Sequence, residues 1–181
     1  MRDQPDVQTL DSSFQFCPRC GAAQPNPGRN PFTCSQCEFV FYFSPISAVG
    51  AIITNPQEEI LFVVRGKQPG QGMLGLPGGF VDANETLEAS LIREVREETS
   101  LTVDDYRYLC SFPNQYEYRG IEIPVTDAFF VCRVSSFEPL AAEQGEVHSF
   151  KLAQPEAKVL DQIAFYSNRL AVEKFIGDKG S

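Results

Sequence analysis

Gly78-Gly79-Phe80-Val81-Asp82-Ala83-Asn84-Glu85, running directly into Thr86-Leu87-Glu88-Ala89-Ser90-Leu91-Ile92-Arg93-Glu94-Val95-Arg96-Glu97-Glu98-Thr99-Ser100-Leu101, decides how the rest of the chain is read. The first half is a glycine-led loop. The second places Leu87, Leu91, Ile92 and Val95 at helical spacing, which predicts a helix that starts near Glu85, capped by Asn84, and ends near Ser100. At about 100° per residue, Glu94, Glu97 and Glu98 share an arc of roughly 100°. Like charges so close cost helix stability. A solvated acidic face carries that cost in one way and a bound divalent cation in another; oxygen-only ligands suit magnesium or manganese. The apolar residues beside the carboxylates place them at a packed edge, where a cation is the better answer. Arg93 can pair with Glu85 from the loop and hold loop and helix in register.

Outward from this segment the pattern is strand-like. Ala48 to Thr54 and Ile60 to Arg65 read as the two arms of a hairpin around the turn Asn55-Pro56-Gln57-Glu58-Glu59. A loop from Gly66 to Leu76 leads into the glycines. Beyond the helix, Tyr106 to Phe112 and Thr126 to Val134 read as strands, with a tyrosine-bearing loop or hairpin from Pro113 to Pro124 between them. Glu146 to Leu152 reads as a further strand, and Asn168 to Ile176 as a short helix closed by Gly177. Strands mixed with helices imply an α/β (α+β) sandwich with a mixed sheet.

Before Pro45 the composition differs. Cys17-Pro-Arg-Cys20 and Cys34-Ser-Gln-Cys37 form two CxxC pairs, joined by the Gly-, Pro- and Asn-rich GAAQPNPGRNPFT. Each pair brings two sulfurs to one ion from a tight turn, and two such turns complete a tetrahedral thiolate site for structural zinc. A linker with no core of its own needs that staple. The expected organisation is a flexible N-terminus over 1–13, a zinc module over 14–44 with an aromatic strand at Glu38 to Phe43, and the main domain over 45–181. Cys110 and Cys132 stand alone in apolar surroundings and read as core residues.

Composition narrows the function classes. The chain of 181 residues is 43% hydrophobic and 22% charged, with a formal net charge of -9. An acidic surface disfavours nucleic-acid backbones and anionic membranes as partners. No apolar run of about 20 residues and no signal-like leader is visible, so a cytoplasmic protein is expected. The single histidine, His148, reads as a strand or surface residue; no Gly-x-Ser-x-Gly turn, Walker loop or dinucleotide fingerprint accompanies it.

The glycine loop and helix resemble the Nudix box, G-x5-E-x7-R-E-U-x-E-E-x-G-U, with U a bulky aliphatic residue. Gly79, Glu85, Arg93, Glu94, Val95, Glu97, Glu98 and Leu101 match in register, and Ser100 stands where the family has glycine. A zinc ribbon ahead of the box, with a tail like Ile163-Ala164-Phe165-Tyr166-Ser167-Asn168-Arg169, is similar to a subgroup of ADP-ribose, NADH and FAD pyrophosphatases. The resemblance implies an α/β/α Nudix sandwich. It also implies divalent-metal-dependent hydrolysis of a pyrophosphate bond in a nucleoside diphosphate-linked small molecule, by attack of a metal-bound water. Glu97 and Glu98 would be the principal ligands of Mg2+ or Mn2+, Glu94 a ligand or general base, and the Gly78 carbonyl a further ligand. Glu85 and Arg93 would orient the helix. Glu146, with Glu143 as the alternative, would add an acidic ligand from a later loop. Arg65 is a candidate phosphate contact, and Tyr116 and Tyr118 are candidates for stacking on a base. The lack of any tryptophan and of the NADH-branch signature favours ADP-ribose-like or FAD-like substrates. A homodimer is compatible with the resemblance. The competing reading is a Nudix-fold nucleotide sensor whose zinc ribbon contacts a partner.

Overall fold

Four thiols and a cluster of phenylalanines hold together a segment too short and too rich in turns to fold by apolar packing alone. In the computed structural model, which describes residues 7–142 and 145–179, this segment belongs to the first of two units: Met1–Ile46 with Gln115–Val125, and Ser47–Asn114 with Thr126–Ser181. In the first unit β1 (Gln8–Thr9) pairs in parallel with Ile121 and Glu122. Two short strands, β2 (Phe32–Thr33) and β3 (Val40–Phe41), pair antiparallel. Cys17, Phe32, Cys34 and Phe43 are buried among Leu10, Phe14, Ala22, Cys37 and Phe39. The Phe14 ring stands edge-on to Phe43 at 4.7 Å.

Two expectations change here. Within the supposedly flexible 1–13, residues 7–13 are tied in by β1 and by Leu10 packing on the phenylalanines; residues 1–6 lie outside the described ones. The aromatic strand over 38–43 shrinks to Val40–Phe41, because the knuckle closes through Glu38 N–H to the Cys34 carbonyl with Glu38 at φ 56°.

The second unit contains β4 (Ile46–Ile53), β5 (Ile60–Arg65), β6 (Leu74–Gly75), α1 (Leu87–Thr99), β7 (Val103–Tyr118), β8 (Ile121–Val134), β9 (Val147–Ala153), α2 (Ala157–Leu160) and α3 (Tyr166–Lys179); β4 begins one residue inside the first unit, and the tip of the β7–β8 hairpin belongs to it. β8 pairs with both β4 and β7, while β5 lies between β6 and β9 in an antiparallel sheet. The parallel β1 contact and the β7–β8 hairpin make the first sheet mixed. Alternation along the strands sorts the core into two layers. Val49, Ala51 and Ile53 of β4, with Ala128, Phe130 and Cys132 of β8, pack on Leu91 and Val95 of α1. Ile52 of β4, Ile60 and Phe62 of β5 and Phe129 of β8 pack on Ala171, Val172 and Phe175 of α3. The result is the expected α/β/α sandwich.

Sequence expectations fail mainly where topology decides. β4 and β5 do not form a hairpin: apart from a single bridge between Thr54 and Ile60, they join different sheets, because β8 is bonded to β4 while β6 and β9 occupy both edges of β5. Of the two alternatives for Pro113 to Pro124, loop or hairpin, the structure has the hairpin: β7 and β8 extend inward to a two-residue turn at Arg119-Gly120, both with positive φ. α1 starts later than expected. Its N-cap is Thr86, whose hydroxyl accepts from Ala89 N–H, while Asn84 takes a left-handed φ of 71° in the turn before it. α3 runs through Gly177 to Lys179 rather than ending there.

Candidate catalytic and metal sites

The glycine loop reaches its place by switching sheets. Gly75 and Leu74 pair with Val63 and Val64 of β5, and then Pro77 and Gly79 offer their carbonyls to Ala51 and Val49 of β4 at 2.8 and 2.9 Å. Gly78 lies against β4 with φ 148°, and a Cβ there would sit 2.1 Å from the Val49 carbonyl oxygen. At Gly79 a Cβ would meet the Glu94 carboxylate at 2.6 Å. Both glycines are required so that this backbone can pass between a strand and the acidic face of α1.

Arg93 organises that face. Its Nε and Nη2 donate to the two oxygens of Glu85 at 2.8 Å each, and Nη2 also donates to the Phe80 carbonyl at 3.1 Å. Nη1 donates to Glu94 at 2.7 Å and to Glu97 at 3.0 Å. The expected clamp between Arg93 and Glu85 is therefore present as a bidentate pair joining loop to helix. Those hydrogen bonds hold the Glu85 carboxyl down to about 2.

The other carboxylates are strained electrostatically. Burial raises Glu94 despite Arg93. Burial pushes Glu98 up to about 7 even though the Gly78 amide donates to it at 3.0 Å, and the charges of Glu94 and Glu146 add to the effect. Glu97 is half exposed. Buried carboxyls that repel one another are a poor resting arrangement without a cation and a good one with it, so the donor set fits a hard divalent ion. In this arrangement their oxygens are turned onto Arg93 and the Gly78 amide.

Glu146 precedes β9; its carbonyl accepts from Gly66 N–H at 2.8 Å and its carboxylate pairs with Lys67. Glu143 lies outside the described residues. Arg65 is half-buried, donates through Nε to the Pro69 carbonyl at 2.8 Å, and stacks over Phe165 with its guanidinium carbon 4.6 Å from the ring centre. It anchors the 66–73 loop, a role that its position at the end of β5 did not announce. Tyr116 and Tyr118 fall in the first unit, on the far part of β7, rather than in the unit that carries the box. His148 is exposed on β9.

The four ribbon sulfurs all lie within 4.8 Å of one another, with Cys17 to Cys37 and Cys20 to Cys34 at 3.7 Å. A tetrahedron with Zn–S bonds of about 2.3 Å has edges of about 3.8 Å, so the sulfurs already stand at ligand spacing and not at disulfide spacing. Backbone amides of Cys37 and Gln36 lower the Cys34 thiol to about 6. Against the Phe39 amide, burial and the neighbouring thiols push Cys37 up to about 12, so without a cation the four sulfurs do not share the thiolate state. All six cysteines are free thiols, and Cys132 is buried in the core as expected. Among the described residues no helix is long and apolar enough to cross a membrane.

Sequence reasoning missed Asn168. Its side-chain oxygen accepts from Leu76 N–H at 3.0 Å, across 92 positions of chain. Nothing local to the Asn168 segment signals such a contact.

Comparison with known proteins bears on the family and the fold. The chain is 30% identical over 105 residues to an NAD-capped RNA hydrolase NudC from Vibrio parahaemolyticus, covering 58% of this chain and 40% of that protein. It is 41% identical over 64 residues to an ADP-ribose pyrophosphatase from Methanocaldococcus jannaschii, covering 35% and 37% respectively. The alignments thus span about two-fifths of the length of these curated relatives. Among solved structures, a NUDIX hydrolase from Nitrosomonas europaea superposes with a TM-score of 0.66 at 20% identity, covering 92% of each chain. The NUDIX domain of Shewanella oneidensis NrtR, solved with ADP ribose, superposes with a TM-score of 0.61 at 24% identity, covering 75% of this chain and 88% of that one. These two likenesses establish the fold. Because residues 44–170 match the NUDIX domain, well over half of the chain, it belongs to the Nudix family.

Proposed function

We propose that the chain is a divalent-metal-dependent hydrolase that cleaves the pyrophosphate bond of a nucleoside diphosphate-linked small molecule, ADP-ribose-like or FAD- or NADH-like. The observation that carries this reading is the crowding of Glu94, Glu97 and Glu98 against a glycine loop, with Glu98 pushed up to about 7 by burial. A pure binding module has no need of such an arrangement. Glu94, Glu97, Glu98 and the Gly78 carbonyl, with Glu146 from the opposite loop, would hold Mg2+ or Mn2+. A cation there would supply Lewis acidity to the diphosphate oxygens and offset the charge of the departing phosphate. The chain's own contributions are separate. Arg93 and Glu85 fix α1 against the loop. Glu94, raised by burial, suits the role of accepting the proton of the attacking water at its carboxylate. Arg65, anchored by Pro69 and Phe165, would offer its outer nitrogens to a phosphate oxygen.

The names of the relatives, an NAD-capped RNA hydrolase and an ADP-ribose pyrophosphatase, share a diphosphate joined to a nucleoside. The net charge of -9 supports a small dinucleotide-like substrate over a long polyanion. The ribbon cysteines would hold structural zinc, and free thiols fit a cytoplasmic setting. The test is turnover of ADP-ribose, FAD and NADH with Mg2+ or Mn2+, wild type beside Glu98→Gln. Metal-dependent hydrolysis that falls at least about 100-fold in the variant supports the reading. Tight nucleotide binding with no turnover of any of them would establish the sensor instead.

A further inference from the structure

At Leu76 the chain leaves one sheet and has not yet joined the other. Leu74 and Gly75 are bonded to β5, and from Pro77 onward the bonds go to β4. The buried Leu76 amide falls between the two ladders, and the following proline holds Leu76 extended, so it cannot swing toward either. The C-terminal segment fills this gap. Leu74 N–H donates to the Gln162 carbonyl at 2.9 Å, and Ala164 N–H donates to the Leu74 carbonyl at 2.8 Å, as a short parallel bridge. By Tyr166 the segment has turned into α3 and its backbone can no longer continue the pattern. Asn168 continues it with a side chain, accepting from Leu76 N–H at 3.0 Å. The start of α3 is itself fixed, since the buried Ser167 hydroxyl donates to Asp127 of β8.

We propose that Asn168 is a positioning residue for the metal site: through Leu76 it helps set the loop whose Gly78 amide meets Glu98 and whose Gly78 carbonyl would serve as a ligand. A single residue separates the anchored amide from the one that donates to Glu98 at 3.0 Å. Pro77 lies between them with β4 holding its carbonyl, so the Leu76 anchor and the β4 bonds together fix the approach to Gly78. The inference rests on the reading of Gly78, Glu94, Glu97 and Glu98 as the cation site.

The experiment compares wild type with Asn168→Leu and Asn168→Asp in the full chain. Three quantities are read: hydrogen exchange at the Leu76 and Gly78 amides, Mn2+ affinity by electron paramagnetic resonance without substrate, and kcat and KM for ADP-ribose. Asn168→Leu keeps the volume and removes the acceptor. It should accelerate exchange at both amides, weaken Mn2+ about tenfold, and lower kcat similarly with KM within about twofold. Asn168→Asp keeps the acceptor and should stay near wild type in exchange and Mn2+ affinity. Should Asn168→Leu not fold, Asn168→Ser, too short to reach Leu76, is read in the same way. Faster exchange at Leu76 alone, with Gly78 and Mn2+ affinity unchanged, would reduce Asn168 to a structural contact and overturn the proposal. Wild-type protein that binds Mn2+ but turns over no substrate would overturn the hydrolase reading and leave this one standing.

Discussion

Replacing Gly78 by alanine tests how tightly the glycine loop is wedged between β4 and α1. Two separate costs follow from the geometry. The φ of 148° belongs to a region that side chains rarely adopt, a strain of about 1–3 kcal/mol. The added Cβ would also stand 2.1 Å from the Val49 carbonyl oxygen and 2.9 Å from the Gly50 Cα. A comfortable C···O approach is about 3.3 Å, so something must move by roughly 1 Å. The obstacle is backbone, and the loop is pinned to it on both sides by Ala51 N–H to Pro77 and Val49 N–H to Gly79 at 2.8 and 2.9 Å. Forced repacking of this kind costs about 1–3 kcal/mol more. The sum, about 2–6 kcal/mol, is a large part of the roughly 5–15 kcal/mol that holds a domain folded. In a chain of this size it corresponds to a melting temperature lowered by about 5–20 °C.

Gly72 is the control. It too has a positive φ, 80°, but a Cβ there meets nothing within 4 Å. Gly72→Ala should cost about 1 kcal/mol and 2–4 °C. Calorimetry on both variants separates strain from collision, because only Gly78→Ala suffers both. If Gly78→Ala melts no lower than Gly72→Ala, the loop has room to back away from β4. The account of Gly78 as a fixed ligand position would then fail.

Three further outcomes are expected. Ser100→Gly should raise the melting temperature by about 1–3 °C: Ser100 caps α1 at φ 62°, a strain of about 1 kcal/mol for a side chain, only partly offset by its exposed hydroxyl bond to Ala141; a lowered melting temperature would contradict this. Cys20→Ser, or zinc removal with a chelator, should lower the melting temperature and abolish bound zinc measured by mass spectrometry; equal stability and activity would remove the structural role of the ribbon cysteines. Asp127→Asn should gain on wild type as pH rises. Burial raises the Asp127 carboxyl above its ordinary value, against the Ser167 hydroxyl and Asn114, so the folded state holds its proton longer than the unfolded chain and wild-type stability falls as pH climbs from the ordinary carboxylate range through the raised value. A melting-temperature difference between the two proteins that stays constant from pH 4 to pH 8 would refute that assignment.

Legibility in the sequence followed the range of the interaction. The acidic face of α1 and the Arg93–Glu85 clamp come from residues within a few turns of each other, and the thiol cluster from two CxxC pairs joined by one short linker, so spacing alone carries such information. The helix start was misplaced by a few residues because Asn84 and Thr86 are both good caps, and the choice fell to backbone conformation: Asn84 is used for a left-handed turn at φ 71°, leaving Thr86 to cap Ala89. The β4–β5 hairpin failed for a different reason. Two apolar runs around Asn55-Pro56 look identical whether they pair with each other or turn from one sheet into another, and the partners that decide it, β6, β8 and β9, lie elsewhere in the chain.

Asn168 stands in the C-terminal stretch that carries the resemblance, but its contact with Leu76, 92 positions away, has no local signal. A loop that changes sheets must leave at least one amide between ladders, and a buried amide left without an acceptor is costly. The neighbouring carbonyls of Pro77 and Gly79 are already taken by the β4 amides of Ala51 and Val49. The acceptor has to come from a distant element, and α3 supplies it by placing a short amide side chain where its own backbone has already turned away. The catalytic loop is therefore fixed from two sides by different kinds of information. Arg93 holds it from the box itself, in a pattern that can be read from sequence. Asn168 holds it from the C-terminal helix, in a pattern that exists only once the sheets are assembled. A Nudix box transplanted without its supporting helix would keep every carboxylate and lose one of the anchors, beside β4 and Arg93, that hold the Gly78 loop against them.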